Sequence, residues 1–365
     1  MARSGASLAR HAACLREVCR RLPKVELHQH LTGSLPGDGV REVLDKVNPA
    51  LAQDAGCITA AFNHEAPERS LKAAWDLLTL QCEAVATATL QPEDLENLFA
   101  SAIGELAADG VAYCELRIGL KARPTKRDYL ALLSRVIRKQ EEVFPETRVR
   151  LLLSVDRAKD PAQGDENIDI AIEDRLDPKS VVCGVELGGV ATARHWHDFE
   201  GMFRRARAGG LPIALHCGED RGRQSEWNDM IAFRPDRLGH CVHVNDENLA
   251  RIVAAGTPVE TCLTCHHRHF GVPLDQNVFH RLFPTRQVAL CTDNPAFYGT
   301  TLSREYELCC LHHDLTMSEL FALALRAIDF TFQTEEQKVV MRSNFEERVS
   351  AMSVALGLPS LRSNL

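Results

Sequence analysis

Short apolar runs alternate with amphipathic segments along most of the chain. Eight short apolar runs stand out, each carrying polar residues in or after its second half: "KVELHQHL" (24–31), "YCELRI" (113–118), "VRLLLSVD" (149–156), "VVCGVELGG" (181–189), "PIALHCGE" (212–219), "RLGHCVHV" (237–244), "PVETCLTC" (258–265) and "VALCTDN" (288–294). Their length and nearly continuous hydrophobicity predict strands covered on both faces. Between them lie helical patterns. "PEDLENLFASAIGELAADG" places Leu95, Leu98, Phe99, Ile103 and Leu106 on one face and stops at Gly110. "KRDYLALLSRVIRKQEEVF", "DFEGMFRRARAGG" and "DENLARIVAAGTP" repeat the scheme. Eight such repeats predict an α/β fold, a (β/α)8 TIM-type barrel with extra helices. An open doubly wound sheet is the alternative, but neither GxGxxG nor GxxxxGK occurs to supply its phosphate-binding turn.

The segment from about 35 to 110 is too long for one strand-to-helix connection. It reads as several helices, "SLKAAWDLLTLQCEAVA" among them, forming part of a lid over the barrel mouth. After Asn294, "MSELFALALRAIDF" and "EEQKVVMRSNFEERVSAMSVAL" return to helical periodicity and complete the outer shell. No Ser/Gly/Pro linker or fixed-period repeat divides the chain. The expected organisation is a lead-in helix or arm over 1–21, one barrel domain over 22–358 and a tail over 359–365.

Composition narrows the function. The net charge of −8, with no long run of either sign, argues against a nucleic-acid scaffold or a membrane-surface partner. A small-molecule partner is expected, bound to a monomer. No stretch approaches about 18 uninterrupted apolar residues. Thirteen irregularly spaced cysteines without secretory targeting fit reduced thiols, hence a cytoplasmic setting. The first 24 residues carry Arg3, Arg10, Arg16, Arg20, Arg21 and Lys24 against Glu17, a transit-peptide composition that also suits an amphipathic helix. The final Ser363-Asn364-Leu365 differs from the peroxisomal Ser-Lys-Leu address at its middle position.

Candidate chemistry collects at strand ends. His28 and His30 are two apart in a strand, so both point to one face, which in a barrel is the lumen. His216 and Glu219, His240 and Asp293 stand at the C-terminal ends of the fifth, sixth and eighth runs, the face where such barrels carry their chemistry. A single one of these histidines would read as a hydrogen-bonded core residue. Three imidazoles and a carboxylate together form a nitrogen-rich set suited to one Zn2+ per chain, with a position left for water.

The motifs "PKVELHQHLTGS", "VELGG", "LHCGE", "RLGHCVH" and "LCTDNPAFYGTTLSREYEL" resemble, in order, those of the adenosine deaminase family of metal-dependent aminohydrolases. "CLTC", "VPLDQNVFHRLF" and "VALCTDN" are most similar to the adenosine deaminase-like branch, the N6-methyl-AMP deaminases of purine nucleotide metabolism. The resemblance implies His28, His30, His216 and Asp293 as zinc ligands. It makes Glu219 the proton donor to ring nitrogen 1 and His240 the partner of the attacking water, which Asp293 is placed to bind along with the metal. His30, Thr32, Asp156, Gly189 and Asn294 become substrate contacts, the backbone N–H of Gly189 meeting the ring. Such a reaction needs a nucleophile near neutral pH, and zinc lowers the pKa of bound water from about 15.7 to about 7. Attack at ring carbon 6 also requires a protonated carboxyl, the role implied for Glu219; the rival role is a carboxylate that holds His216.

Two positions depart from the family. Asn294 stands where the family has a second Asp facing ring nitrogen 7, and an amide donates at every pH. Thr32 stands where adenosine deaminases carry Asp and the deaminase-like branch carries Asn. A carboxylate there would repel a 5'-phosphate; threonine permits one, and Ser34 is a candidate second contact. The branch's Ser-Thr-Pro-Arg stretch after "ELR" is replaced by Ile118, Gly119, Leu120 and Lys121, which leaves Lys121 as the candidate phosphate ligand. These residues leave N6-methyl-AMP, AMP-like nucleotides and adenosine open; the resemblance to the branch favours N6-methyl-AMP or another N6-substituted AMP to IMP, with adenosine to inosine next.

Three other readings compete. "TCLTCHHRH" carries Cys262, Cys265, His266, His267 and His269, but in an extended run Cys262 and Cys265 face opposite ways, against a structural zinc site. "CCLHHD" (309–314) falls in a helical pattern. A binuclear hydrolase would need a bridging modified lysine at the end of strand four, where "VELGG" has none. A non-catalytic purine-binding protein would not need both Glu219 and His240 beside the ligand set.

Overall fold

In the computed structural model, residues 14–47, 49–50, 82, 85 and 91–358 are described. Eight parallel strands run in sequence order around a nearly closed barrel: β1 Lys24–His30, β2 Val111–Ile118, β3 Arg148–Asp156, β4 Val182–Gly188, β5 Ile213–Cys217, β6 Arg237–His240, β7 Val259–Thr261 and β8 Val288–Leu290. The predicted (β/α)8 architecture is the observed one. The seam between β8 and β1 is joined at a Gln29–Asp293 bridge, where His30 N–H donates to Asp293 O and Asp293 N–H to His28 O. That seam places three of the candidate ligands together.

All eight runs form strands, but the last three are shorter than their sequences suggest. The chain leaves β6 through positive φ at His240 (61°) and Cys241 (52°), and passes Asp293 at 63°. Non-glycine residues hold this conformation only where the surroundings impose it, and such positions gather at functional sites. The "CLTC" end of the seventh run turns at Cys262 into a helix, Leu263–Arg268. The extended geometry expected for Cys262 and Cys265 is therefore wrong.

The outer helices follow local rules. Pro92–Ala108 buries Leu95, Leu98, Phe99, Ile103 and Leu106 as patterned, starting with Pro and giving way to Gly110 at φ 76°. Thr125 and Asp128 form a capping box at the start of Lys126–Val143, and Thr334 with Gln337 does the same for Glu335–Ala355. Residues 14–21 of the lead-in are helical. Most of the expected lid, including 70–81, and the 359–365 tail lie outside the described residues.

The lumen is filled by charge rather than by aliphatic layers. Glu26, Glu115, Arg117, Glu186, Arg237 and Glu260, each at most 1% exposed, come from five different strands. Arg237 joins Glu115 (2.5 Å) to Glu260 (2.6 Å), and Arg117 bonds Glu260 and lies 3.5 Å from Glu186. This lattice ends beneath the histidines. A cavity of about 610 Å³ opens at the opposite, N-terminal face, lined by Tyr113, Arg148 and Met341 among others. No candidate site residue lines it.

Candidate active site

Four side chains from three regions of the barrel converge at its C-terminal mouth. His28 and His30 come from β1, His216 from β5, and Asp293 from the segment following β8. Their ligand atoms lie within 4.8 Å of one another. His28 Nε2 is 3.1 Å and His30 Nε2 3.2 Å from His216 Nε2. Asp293 Oδ1 is 3.4 Å from His30 Nε2 and 3.8 Å from His28 Nε2.

The outer nitrogens settle which way these rings present their lone pairs. His28 Nδ1 donates to Glu260 Oε2 at 2.8 Å. His216 Nδ1 donates to the Leu187 carbonyl at 2.9 Å, with Glu186 Oε2 at 3.1 Å. Burial would raise Glu186, but His216 and Arg117 pull it down to about 2, so it remains a carboxylate. Burial holds His28 well below the usual imidazole range and brings His30 down to about 4. His28 thus turns an Nε2 lone pair toward His216 Nε2; burial lowers His216 but the Glu186 carboxylate outweighs it and raises its pKa, so the position between the two nitrogens suits a proton or a metal cation. A tetrahedral zinc with bonds of about 2.0–2.1 Å has ligand–ligand edges of about 3.3–3.4 Å, close to the spacings seen. The residues fit the metal.

Gly239 makes room for this cluster: a Cβ there would sit 2.7 Å from His28 Cε1. Gly239→Ala should retain the fold but release metal about 10–100-fold more readily to a chelator, because the ring must move off its axis. Unchanged metal retention would show that the contact does not position His28.

Glu219 and His240 flank the cluster. Glu219 Oε1 lies 3.8 Å from His240 Nε2, and the His240 ring centroid is 4.5 Å from that of His28. Desolvation raises Glu219 above the usual carboxylate range; His216 opposes that shift and Asp293 adds to it. The rival role for Glu219, holding His216, belongs to Glu186 and Leu187 instead.

The adenosine deaminase family profile matches residues 23–348. The chain belongs to the adenosine deaminase family. It is accordingly a metal-dependent aminohydrolase. Adenosine deaminase-like protein of Drosophila pseudoobscura pseudoobscura is 28% identical over 91% of this chain and 98% of its own length. N6-methyl-AMP deaminase of Homo sapiens is 27% identical over 91% of this chain and 95% of its own. The apo structure of N6-methyl-AMP deaminase from Arabidopsis thaliana superposes with a TM-score of 0.82 at 30% identity, covering 91% and 98% of the two chains.

The remaining predicted positions divide. Asn294 donates to Asp293 Oδ1 at 2.7 Å, and Gly33 is held against it: a Cβ on Gly33 would lie 1.8 Å from Asn294 Oδ1. Thr32, partly exposed, opens that same turn, Thr32–Ser34. Ser34 is not available as a phosphate contact, since its hydroxyl donates to His30 O (2.6 Å) and accepts from Gln29 (2.9 Å). It is a buried turn residue, which the sequence pattern could not distinguish. Asp156 ends β3 against Gly189, whose φ is 87° and whose added Cβ would lie 2.2 Å from Asp156 Oδ1. Lys121 is half-buried beside Lys159; burial first, then the Lys159 charge, lowers its pKa. Lys159 was not singled out by the sequence, although its place three residues after Asp156 at a strand end was a signal. Among the dismissed residues, His266 proves to touch His240, while Cys262 lies near His28 and His240 in a second buried group of only three donors. A closed structural zinc site takes four.

Proposed function

We propose that this protein is a zinc-dependent deaminase acting at purine carbon 6 of an adenine nucleotide, N6-methyl-AMP to IMP above all. The observation that carries the deaminase chemistry is a set of imidazole nitrogens and a carboxylate oxygen at tetrahedral spacing, with the Glu219 carboxyl beside them. His28, His30, His216 and Asp293 would hold the metal, and three nitrogens with one oxygen suit zinc. Zinc held there supplies an activated water near neutral pH.

This chain's own groups do the rest. Glu219 delivers a proton to ring nitrogen 1 as the ring loses aromaticity, which its raised pKa favours. His240 hydrogen-bonds the incoming water. The Gly189 N–H meets the ring edge, and Asn294 offers an amide donor to ring nitrogen 7. Its amide also fixes Asp293 through their mutual bond.

The preference for a nucleotide is supported by charge. Lys121 and Lys159 present two ammonium groups next to the carboxylate of Asp156, 3.9 Å from Lys159 Nζ. A 5'-phosphate would relieve their mutual repulsion. Thr32 adds no opposing charge. Among the structural neighbours, arabidopsis proteins are complexed with IMP and with GMP, both purine 5'-monophosphates.

The test is a parallel assay of N6-methyl-AMP, AMP, adenosine and adenine by purine absorbance and released amine. N6-methyl-AMP should turn over fastest, releasing methylamine, with adenosine nearly silent; fast adenosine turnover would defeat the nucleotide reading. Lys121→Ala and Lys159→Ala should each raise KM for the nucleotide about 10–100-fold and leave residual adenosine turnover unchanged, a loss typical of hydrogen bonds to charged groups. Equal losses on adenosine would assign the lysines to the fold instead of the phosphate.

A further inference from the structure

His240 is held from behind by a second imidazole. Its Nδ1 lies 3.3 Å from His266 Nε2. His266 in turn meets the side-chain amide of Asn277 through Nδ1, 3.0 Å from Nδ2 and 3.3 Å from Oδ1. All three residues are at most 1% exposed, so no water competes for these contacts. Phe270 packs across the outer side, its ring centroid 6.1 Å from that of His240 and 6.2 Å from that of His266.

The direction of this chain can be read from its far end. Asn277 caps the helix Val278–Leu282, and its Oδ1 accepts the Phe279 backbone N–H at 3.0 Å. Oδ1 is therefore the acceptor, and Nδ2 is the atom that faces His266. Nδ2 can only donate and, at 3.0 Å against 3.3 Å for Oδ1, makes the shorter contact, which places the lone pair on His266 Nδ1. A neutral His266 then holds its proton on Nε2, and that proton can go only to His240 Nδ1. Burial lowers His266 to about 4, in keeping with a neutral ring. His240 is left with its own proton on Nε2, the nitrogen on the Glu219 side.

We infer that His266, oriented by Asn277, is a positioning residue that fixes the tautomer of His240, so that His240 presents an N–H donor to the reaction site. The inference deepens the proposed function and rests on it for its catalytic meaning. It assigns His240 a definite part: the ring orients the attacking water by donating to its oxygen and does not begin as a proton acceptor. A proton on His240 Nδ1 would oppose the His266 Nε2–H across 3.3 Å. The sequence gives no hint of this. "CHH" follows a run that reads as extended, whereas the helix Leu263–Arg268 turns His266 inward beneath His240.

The test combines spectroscopy with rescue on the metal-loaded full chain. In 15N-histidine NMR, with His240 assigned by its loss in His240→Gln, the wild-type ring should show its proton on Nε2. His266→Phe keeps the bulk, removes the donor and should lower kcat about 10–100-fold, with metal content and nucleotide KM unchanged. His266→Gln, whose amide can donate to His240 and accept from Asn277, should restore most of that kcat. Wild-type His240 protonated on Nδ1 overturns the inference, as does full kcat in His266→Phe or equal losses in the Phe and Gln variants. The NMR result stands whatever substrate the enzyme takes, so failure of the nucleotide assay and failure of this inference are separate outcomes. If His266→Phe does not fold, the wild-type tautomer still decides.

Discussion

Glu219→Gln is expected to keep its full complement of metal and lose turnover by a factor of about 10²–10⁴. The prediction follows from position. Glu219 is not among the four clustered donors, and His216 donates its outer N–H to the Leu187 carbonyl, with the Glu186 carboxylate beside it. Glutamine matches the size of glutamate but has no acidic proton to give ring nitrogen 1, so the loss belongs in kcat rather than in KM. It corresponds to about 3–5 kcal/mol of barrier. The pH dependence carries a definite sign. An acid must be protonated to act, so wild-type activity should fall as pH rises through the Glu219 pKa, and desolvation moves that fall upward from the usual carboxylate range. The residual activity of the variant should lack that limb. Metal analysis beside steady-state kinetics checks the claim: unchanged turnover would remove Glu219 from the mechanism, and lost metal would make it a structural support.

Much of this site was legible in the sequence because its residues obey the period of a strand. His28 and His30 share a face two residues apart, and His216, His240 and Asp293 each mark a strand end. The same period carried a signal that went unused. Glu26 with His28, and Glu115 with Arg117, alternate inward in otherwise apolar runs, and Glu186, Arg237 and Glu260 interrupt three more. Charge repeated at inward positions of buried strands announces an ionic lumen, since isolated buried charges are not tolerated. Which charge meets which is set by barrel register, a long-range property that no single run contains. His266 and Ser34 were illegible for a local reason. Each depends on where an irregular turn begins, and strand and helix boundaries are the least determined features of a hydrophobic pattern.

The ionic lumen leads to the largest expected effect on stability. Glu260→Ala should destabilise the protein by about 3–5 kcal/mol, the range for breaking a buried ion pair from one side. Both carboxylate oxygens are committed: Oε1 to Arg237 at 2.6 Å, and Oε2 to Arg117 and to His28 Nδ1 at 2.8 Å. Arg117 and Arg237 are at most 1% exposed and cannot reach water when their partner is gone. The substitution also strips His28 of the acceptor that fixes its tautomer, so metal affinity should fall about 10–100-fold. The two losses are separable. Urea unfolding of the metal-free protein reads the lattice alone, and competition with a chelator reads His28. Glu260→Gln keeps volume and one acceptor but no charge, and should fall between wild type and Glu260→Ala in both measurements. If the glutamine variant matches wild type in urea, packing volume and not charge supports the barrel; if both variants bind metal as wild type does, His28 is oriented by β1 alone.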